Sequence, residues 1–386
     1  MIDTALTCCC IYFFYTYNMQ QETIEHTHSL QTGFYFPTID SLRFFAFLFV
    51  FLGHISFPVI PGFFANISWY GVELFFLISG FLLTKILTTE YNLTSEIKIR
   101  NYFIRRILRI WPLYFTYLAM VILYFWVSIH SLPDGRRLAG NLFFIDNIFS
   151  ALNGYNQNKG TPHLWSISLE EQYYFILPFF TLWLLKQKKQ IIHASILVIF
   201  TLLVLSKLIA IYFQFKHPFV YVLPISGECF FFGFILGLGT YNSYLIKRNP
   251  FILFFSGIAL LMIVNLLPSR LVISYNQLFL YLLLALGFGF IFISVVFGNS
   301  RLLNLLFNNK ILIYLGKISF GLYIYHWLIL EKMNPFFKNS SSVIQLLGIL
   351  IMFLITVLIA ALSYEMFEKR FLHLKKRFTV IKSREV

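Results

Sequence analysis

The chain has 386 residues, of which 59% are hydrophobic and only 12% are charged, whereas ordinary soluble domains are about half apolar and about a quarter charged. One soluble core of this length cannot hide so many apolar side chains, so the composition excludes a soluble globular protein and indicates a membrane protein. The formal net charge of +14 sits in short loops between apolar runs. That distribution favours attraction to anionic lipid headgroups over binding to nucleic acid.

Apolar runs predict about ten membrane-spanning helices, because a span needs roughly 20 mainly apolar residues and lipid forces backbone hydrogen bonds to form within each segment. The runs cover residues 38–57, 70–89, 110–130, 164–185, 191–213, 218–241, 251–268, 274–297, 311–330 and 343–366. Lys and Arg concentrate in alternate connecting segments and after the last span, which predicts that both termini are cytosolic. The predicted fold class is therefore an all-α, polytopic transmembrane helical bundle with N-in/C-in topology.

Three regions are predicted along the chain: an N-terminal extension over 1–35, a transmembrane domain over 36–372 and a basic cytosolic tail over 373–386. The extension is expected to be disordered or partly untranslated, since Met19 offers a second start. Its first 18 residues contain no Lys or Arg, so the basic n-region of a secretory signal is missing. The longest outside loop, about 131–163, is predicted to act as a lid or substrate loop.

Two ionisable residues in the first span, Arg43 and His54, are predicted to line a polar channel. They are 11 residues apart, which rotates the helix by about 20° more than three full turns. They therefore share one face, about 16 Å apart along the axis. Ionisable groups inside spans are unfavourable and usually face the bundle interior. A lone histidine in an apolar helix is more often a packing residue, but the arginine on the same face argues against that alternative.

A carboxylate near the outer end of the second span, Glu73, is predicted to orient the His54 imidazole and stabilise its cation. The alternative is a solvated carboxylate at the membrane interface. In the same span, the Ser79–Gly80 pair is interpreted as small-residue helix packing.

A run of arginines, IRNYFIRRILRIWP, precedes the third predicted span. Arg106 and Arg109 are spaced i,i+3 and meet on one helix face, and guanidinium forks suit phosphate oxygens. Together with Arg105, they are predicted to bind a phosphorylated cytosolic cofactor. The alternative is an anchor that serves only membrane orientation.

Two further segments carry polar groups where the spans reach the outer side. The first reads HLWSISLEEQYYF, and its carboxylates, amide and aromatic rings predict a sugar-binding edge at the outer mouth of the fourth span. The second reads ISFGLYIYHWLIL and lies in the ninth span. The predicted substrate-binding residues are His163, Trp165, Ser166, Glu170, Gln172, Tyr323 and His326. These residues and the arginines are expected to lie on opposite membrane faces.

These segments, in this order, resemble acyltransferase family 3, which includes polysaccharide and lipopolysaccharide O-acetylases. The resemblance covers roughly residues 36–372 and identifies that region as the transmembrane acyltransferase domain. By resemblance, Arg43 and His54 match the family's paired arginine and catalytic histidine. The other matching positions are Arg106 and Arg109, linked to acyl-coenzyme A use; Trp165, Ser166, Glu170 and Gln172; and Tyr323 and His326. Two positions depart from the usual pattern: Ile167 stands in place of Leu, and Glu73 where Asp is common.

The resemblance implies a membrane O-acyltransferase of the bacterial inner membrane. It would move an acyl group, most often acetyl, from cytosolic acyl-CoA to a hydroxyl of an extracytoplasmic or lipid-linked glycan. His54, Arg43 and Glu73 would be catalytic, with His54 acting as general base or forming a transient acyl-histidine. Membrane lipid and a glycan are the expected partners, with no metal and no nucleic acid. A secondary transporter is the alternative, but such proteins show two related halves, and this sequence shows none.

Overall fold

The computed structural model describes residues 34–55, 57–60, 68–130, 133–154, 158–214, 227–239, 247–268 and 274–381. Within these ranges all regular secondary structure is helical, which confirms the all-α class. The longer helices are α1 Pro37–Gly53, α2 Ser68–Thr94, α3 Ile99–Tyr124, α6 Trp165–Leu185, α7 Lys189–Tyr212, α8 Glu228–Leu238, α9 Pro250–Leu266, α10 Asn276–Val296, α13 Ser319–Phe337 and α14 Ser342–Ser363. The short helices are α4 Gly135–Leu142, α5 Asp146–Asn153, α11 Arg301–Phe307, α12 Lys310–Lys317 and α15 Lys369–Lys375. The predicted extension 1–35 falls almost entirely outside the described residues.

Several helices are long and apolar enough to cross a membrane, so the chain is an integral membrane protein. Among the described residues five stretches qualify: Trp69–Thr94, Ile99–Ser128, Lys189–Tyr212, Asn276–Val296 and Ser342–Phe378. A sixth is added if α12 and α13, which meet at 70°, form one broken span. The predicted count of ten spans and the orientation of the termini stay predictions.

Three of the predicted spans differ from the helices that the structure contains. The third was expected from residue 110, but α3 begins at Ile99, so the arginine run lies inside the helix. Only Glu228–Leu238 of the sixth span, 218–241, is a described helix. The ninth, 311–330, is divided between α12 and α13 by the 70° bend. Hydropathy averages over about 20 residues and does not detect such a break.

The helices differ in how much of their surface is buried: α2 is central, whereas α7 and α14 are peripheral. Helix α2 is 72% buried over its most apolar window, whereas α7 is 17% and α14 is 28% buried. The outward side chains of the peripheral helices are mainly aliphatic, such as Leu202 at 58% and Leu346 at 54% exposure. Contiguous apolar surface of this extent is rare on soluble proteins and fits contact with lipid. Helix α2 packs against α1, α6, α8 and α10, and α1 in turn packs against α12 and α13.

Close contact between α2 and α8 depends on two glycines. A Cβ atom added to Gly80 would lie 2.2 Å from the Phe230 carbonyl oxygen, and one added to Gly233 would lie 2.0 Å from that of Leu77. Small residues let helix backbones approach closely within membranes. The interpretation of Gly80 as a packing residue is therefore confirmed.

Substituting Gly233 with alanine is expected to destabilise the protein by about 1–3 kcal/mol, because the added methyl group meets backbone atoms that cannot rotate away. Thermal unfolding of the detergent-solubilised protein measures the effect. Gly135→Ala is the matched control, since nothing lies within 4 Å of its Cβ position. Equal melting temperatures for the two variants would show that the α2–α8 contact relaxes without loss of stability.

The outside loop predicted as a lid contains the helical hairpin α4–α5. The Arg137 guanidinium contacts Asp146 at 3.3 Å and the Ser150 hydroxyl at 3.1 Å, and all three residues are buried. The Gln172 amide of α6 donates to the Phe144 carbonyl and to Asn147, both at 2.9 Å. These bonds fix the hairpin against the start of α6.

Candidate active site

Two histidines from distant parts of the chain meet at the end of α1. His54 caps the helix, and its Nδ1 lies 3.1 Å from Nε2 of His326 on α13. The rings are stacked with centroids 5.3 Å apart. His326 is fully buried, whereas His54 is half-buried.

Hydrogen-bond roles in this pair follow from the backbone. Nδ1 of His326 lies 2.6 Å from the Tyr323 carbonyl oxygen, and a carbonyl only accepts, so this nitrogen carries the proton. In the neutral ring, Nε2 of His326 then holds a lone pair and accepts from Nδ1–H of His54. This assignment leaves the lone pair of the His54 imidazole on Nε2. The geometry therefore prepares His54 to take a proton or attack a carbonyl carbon.

Aromatic rings enclose the histidine pair. The Trp327 ring lies edge-on to His54 with centroids 4.8 Å apart and is parallel to the ring of His163 at 5.9 Å. His163 is buried, and its Nε2–H donates to the Ile324 carbonyl at 3.2 Å. Among the described residues, no group of three or more His, Cys, Asp or Glu side chains could hold a metal ion.

Ser166 and Tyr323 connect the histidines to a large cavity. Their hydroxyl groups are 2.5 Å apart, and both reach the His163 carbonyl, at 3.1 and 2.9 Å. Both side chains also line the cavity. Tyr323 therefore touches the cavity with its side chain while its backbone oxygen fixes the His326 tautomer.

The cavity holds more cations than carboxylates. It encloses about 1150 Å³ of space, the open solvent at its mouth included. Its charged lining residues are Arg43, Arg106, Arg109 and Lys375, together with Asp40 and Glu170. Arg43 pairs with Asp40 at 3.3 Å. Arg106 lies over the Tyr174 ring at 5.5 Å, and its buried Nε has no hydrogen-bond partner among the described residues. This arrangement favours an anionic ligand with phosphate-like acceptors.

Arg105, one helical position away, has a different environment. It is buried, forms an ion pair with Glu90 at 3.1 Å and donates to the Phe378 carbonyl at 3.0 Å. It is not among the residues that line the cavity. A step of 100° around the helix separates its face from that of Arg106.

Glu73 lies on the face of α2 that packs against α8. Its side chain hydrogen-bonds the Cys229 thiol, and the neighbouring Glu228 forms an ion pair with the fully buried Lys207. The structure thus places Glu73 in a polar cluster with α7 and α8. Its predicted role in orienting His54 stays a prediction, whereas His326 and Trp327 contact the His54 ring.

Glu170 lies in the same cavity as the arginines. It accepts a hydrogen bond from Ser79 at 2.5 Å and another from the Tyr174 hydroxyl. The structure brings Glu170 and Ser166 together with Arg106 and Arg109 in one cavity, whereas the sequence predicted that the two groups lie apart.

Comparison of the sequence with known protein families gives a match over most of the chain. A family model described as an acyltransferase domain matches residues 36–365. The chain belongs to acyltransferase family 3. This membership does not favour the transporter alternative.

Bacterial relatives of this acyltransferase include two named O-acetyltransferases. Peptidoglycan O-acetyltransferase OatA of Listeria monocytogenes is 25% identical over 355 residues, covering 86% of this chain and 55% of the relative. O-acetyltransferase OatA of Staphylococcus aureus is 26% identical over 377 residues, covering 91% and 59%. The chain thus spans little more than half the length of these relatives. No solved structure matches it.

The structure adds residues to this candidate site that the sequence did not indicate. The sequence predicts a packing role for Ser79, yet its hydroxyl binds Glu170 and the residue lines the cavity. Trp327 follows His326 directly and packs against His54. Gln172 and Trp165 were predicted to bind substrate. Gln172 holds the α4–α5 hairpin and Trp165 is buried, and neither is among the residues that line this cavity. Their role in substrate binding stays a prediction.

Proposed function

We propose that this protein transfers an acetyl group from cytosolic acetyl-CoA to a hydroxyl of an extracytoplasmic glycan, across the bacterial inner membrane. The observation that carries the proposal is the pairing of two features: a cation-rich cavity, and a histidine pair whose tautomers direct a lone pair to Nε2 of His54. Peptidoglycan is the acceptor class we favour, because the Listeria relative is named for it.

In the proposed reaction, the His54 Nε2 takes the proton of the acceptor hydroxyl while the hydroxyl oxygen attacks the thioester carbonyl. The carbon–sulfur bond then breaks, and the thiolate leaves with the proton that the imidazolium returns. His326 acts as a positioning residue that holds the His54 ring in one tautomer. A transient acetyl-His54 uses the same lone pair, and trapping of acetylated protein without acceptor separates the two routes.

Donor binding is assigned to Arg106 and Arg109, supported by Arg43. Two observations support this assignment: the buried Nε of Arg106 has no hydrogen-bond partner within the described part of the chain, and the cavity has an excess of cations. The distribution of Lys and Arg favours a cytosolic position for this end. Arg105 is left out of the donor site because its guanidinium bonds Glu90 and Phe378.

Arg109→Lys is expected to raise the apparent KM for acetyl-CoA about tenfold, because lysine lacks the planar fork and loses one charge-assisted hydrogen bond. Donor titration in isolated membranes measures it. Arg100→Lys on the exposed face of α3 is the matched control. Unchanged KM values in both Arg106→Lys and Arg109→Lys would reduce these residues to orientation anchors.

The function itself is tested with purified protein in lipid nanodiscs, acetyl-CoA and glycan fragments stripped of O-acetyl groups. Mass spectrometry should detect acetylated glycan together with free coenzyme A thiol. Thioester consumption without a glycan product would overturn the proposed acceptor, and no consumption would overturn the proposed donor.

A further inference from the structure

The C-terminal segment beyond the family match returns to the cavity. Helix α15 follows the last long helix and ends at Lys375, ten residues past the end of the family match at residue 365. Lys375 is half-buried and lines the cavity beside Arg106 and Arg109, whereas the next residue, Lys376, is exposed. The tail predicted from residue 373 therefore begins inside a helix that forms part of the cavity wall.

Buried contacts of Arg105 and Glu90 hold this segment in place. Arg105 bonds the Phe378 carbonyl with one nitrogen and the Glu90 carboxylate with another. The second oxygen of Glu90 accepts from the Lys98 backbone N–H at 2.9 Å. Glu90 is fully buried, so this carboxylate is confined to the groups that it binds. These contacts join the turn after α15 to the adjoining ends of α2 and α3.

A second set of contacts lies at the start of the segment. Ser363 donates to Glu368 at 3.3 Å and accepts from the Tyr325 hydroxyl at 3.2 Å. Glu368 is close enough to Arg109 to interact with it electrostatically. Both ends of the segment are therefore fixed, and Lys375 lies between them at a defined position on the cavity.

We propose that Lys375 binds the 3′-phosphate of the acyl-CoA donor, so that the C-terminal helix forms the adenosine end of the donor site. This inference rests on the proposed function. Arg105 and Glu90 hold the segment of Lys375 near the C-terminal end of α2. His54, which the thioester must reach, precedes the N-terminal end of that helix. The 3′-phosphate is the donor phosphate farthest from the thioester. A lysine ammonium acts as a point charge for a terminal phosphate, and the arginine forks suit the inner pyrophosphate.

The test compares acetyl-CoA with acetyl-3′-dephospho-CoA in purified wild type, Lys375→Gln and Lys376→Gln. Wild type and Lys376→Gln should prefer acetyl-CoA. Lys375→Gln should raise the apparent KM for acetyl-CoA about tenfold, as expected for the loss of one charge-assisted bond to phosphate. The effect on acetyl-3′-dephospho-CoA should be several-fold smaller, and Lys375→Arg should recover most of the preference.

Each remaining outcome overturns the assignment. An equal KM increase for both donors in Lys375→Gln would place the side chain elsewhere on the donor or make it structural. No increase for either donor would remove it from the site. If wild type used acetyl-CoA without preferring it over the dephospho form, only the Lys375 inference would fail. If wild type used neither donor, the proposed function would fail as well. Size-exclusion chromatography confirms that each variant is folded.

Discussion

Replacing His54 with alanine is expected to reduce acetyl transfer by at least about a hundredfold, the range that a positioned general base typically contributes. The variant loses Nε2 of His54. In the described histidine pair, the lone pair of this nitrogen does not accept a hydrogen bond from the other histidine. Thioester consumption in membranes that contain equal amounts of each protein measures the effect.

The matched control is His193→Ala, an exposed histidine on α7, which should retain wild-type transfer. Apparent affinity for acetyl-CoA should change little in His54→Ala, because the cations line the cavity and His54 is not among its lining residues. Near-normal turnover in well-expressed His54→Ala protein would remove the residue from the chemistry. Loss of the folded protein would support a packing role instead.

Replacing His326 with leucine is expected to reduce turnover almost as strongly. Leucine cannot accept from Nδ1–H of His54, so the imidazole loses the contact that selects its tautomer, and the loss of an equivalent orienting group in other histidine catalysts has very large effects. His326→Gln should restore part of the rate, because its amide oxygen can accept from His54 and its amide nitrogen can donate to the Tyr323 carbonyl.

A comparison of His326→Gln with His326→Leu distinguishes a positioning role of His326 from a role in packing alone. Both remove the ring from a fully buried position, so a purely structural role predicts similar losses in glutamine and leucine variants. The positioning role predicts a higher turnover number for glutamine at an unchanged KM for acetyl-CoA. Equal turnover in both, with equal thermal stability, would contradict it.

Local sequence patterns predicted several of the arginines that line the cavity. The spacing of Arg43 and His54 placed them on one helix face, and the i,i+3 spacing of Arg106 and Arg109 placed both on the cavity. Arg105 belongs to the same run but faces Glu90, because a change of one residue rotates a side chain by 100°. The helix phase of the run could have separated Arg105 from its neighbours.

The contact between His54 and His326 could not be predicted from sequence, since 272 residues separate them and no local pattern specifies which helices meet. The 70° bend between α12 and α13 was missed for a related reason. Both halves are apolar, so hydropathy predicts one span. The bend sets the direction of α13, on which His326 lies at the end of α1.

The surroundings of Glu170 depend on tertiary packing as well. Glu170 was assigned to the outer mouth from its place early in α6, but its hydrogen bonds to Ser79 and Tyr174 face the arginine-lined cavity. The position of Glu73 near one end of α2 suggested His54 as a partner, and this role stays a prediction. The contact that the structure describes for its side chain is with Cys229 of α8.

Mass spectrometry of surface glycans tests the central claim most directly. Cells that lack the gene would be complemented with wild type, His54→Ala or His193→Ala at matched membrane levels. The account predicts acetylated glycan with wild type and His193→Ala, and none above the deletion background with His54→Ala. Equal acetylation with His54→Ala and wild type, or unchanged acetylation on deletion, would contradict it.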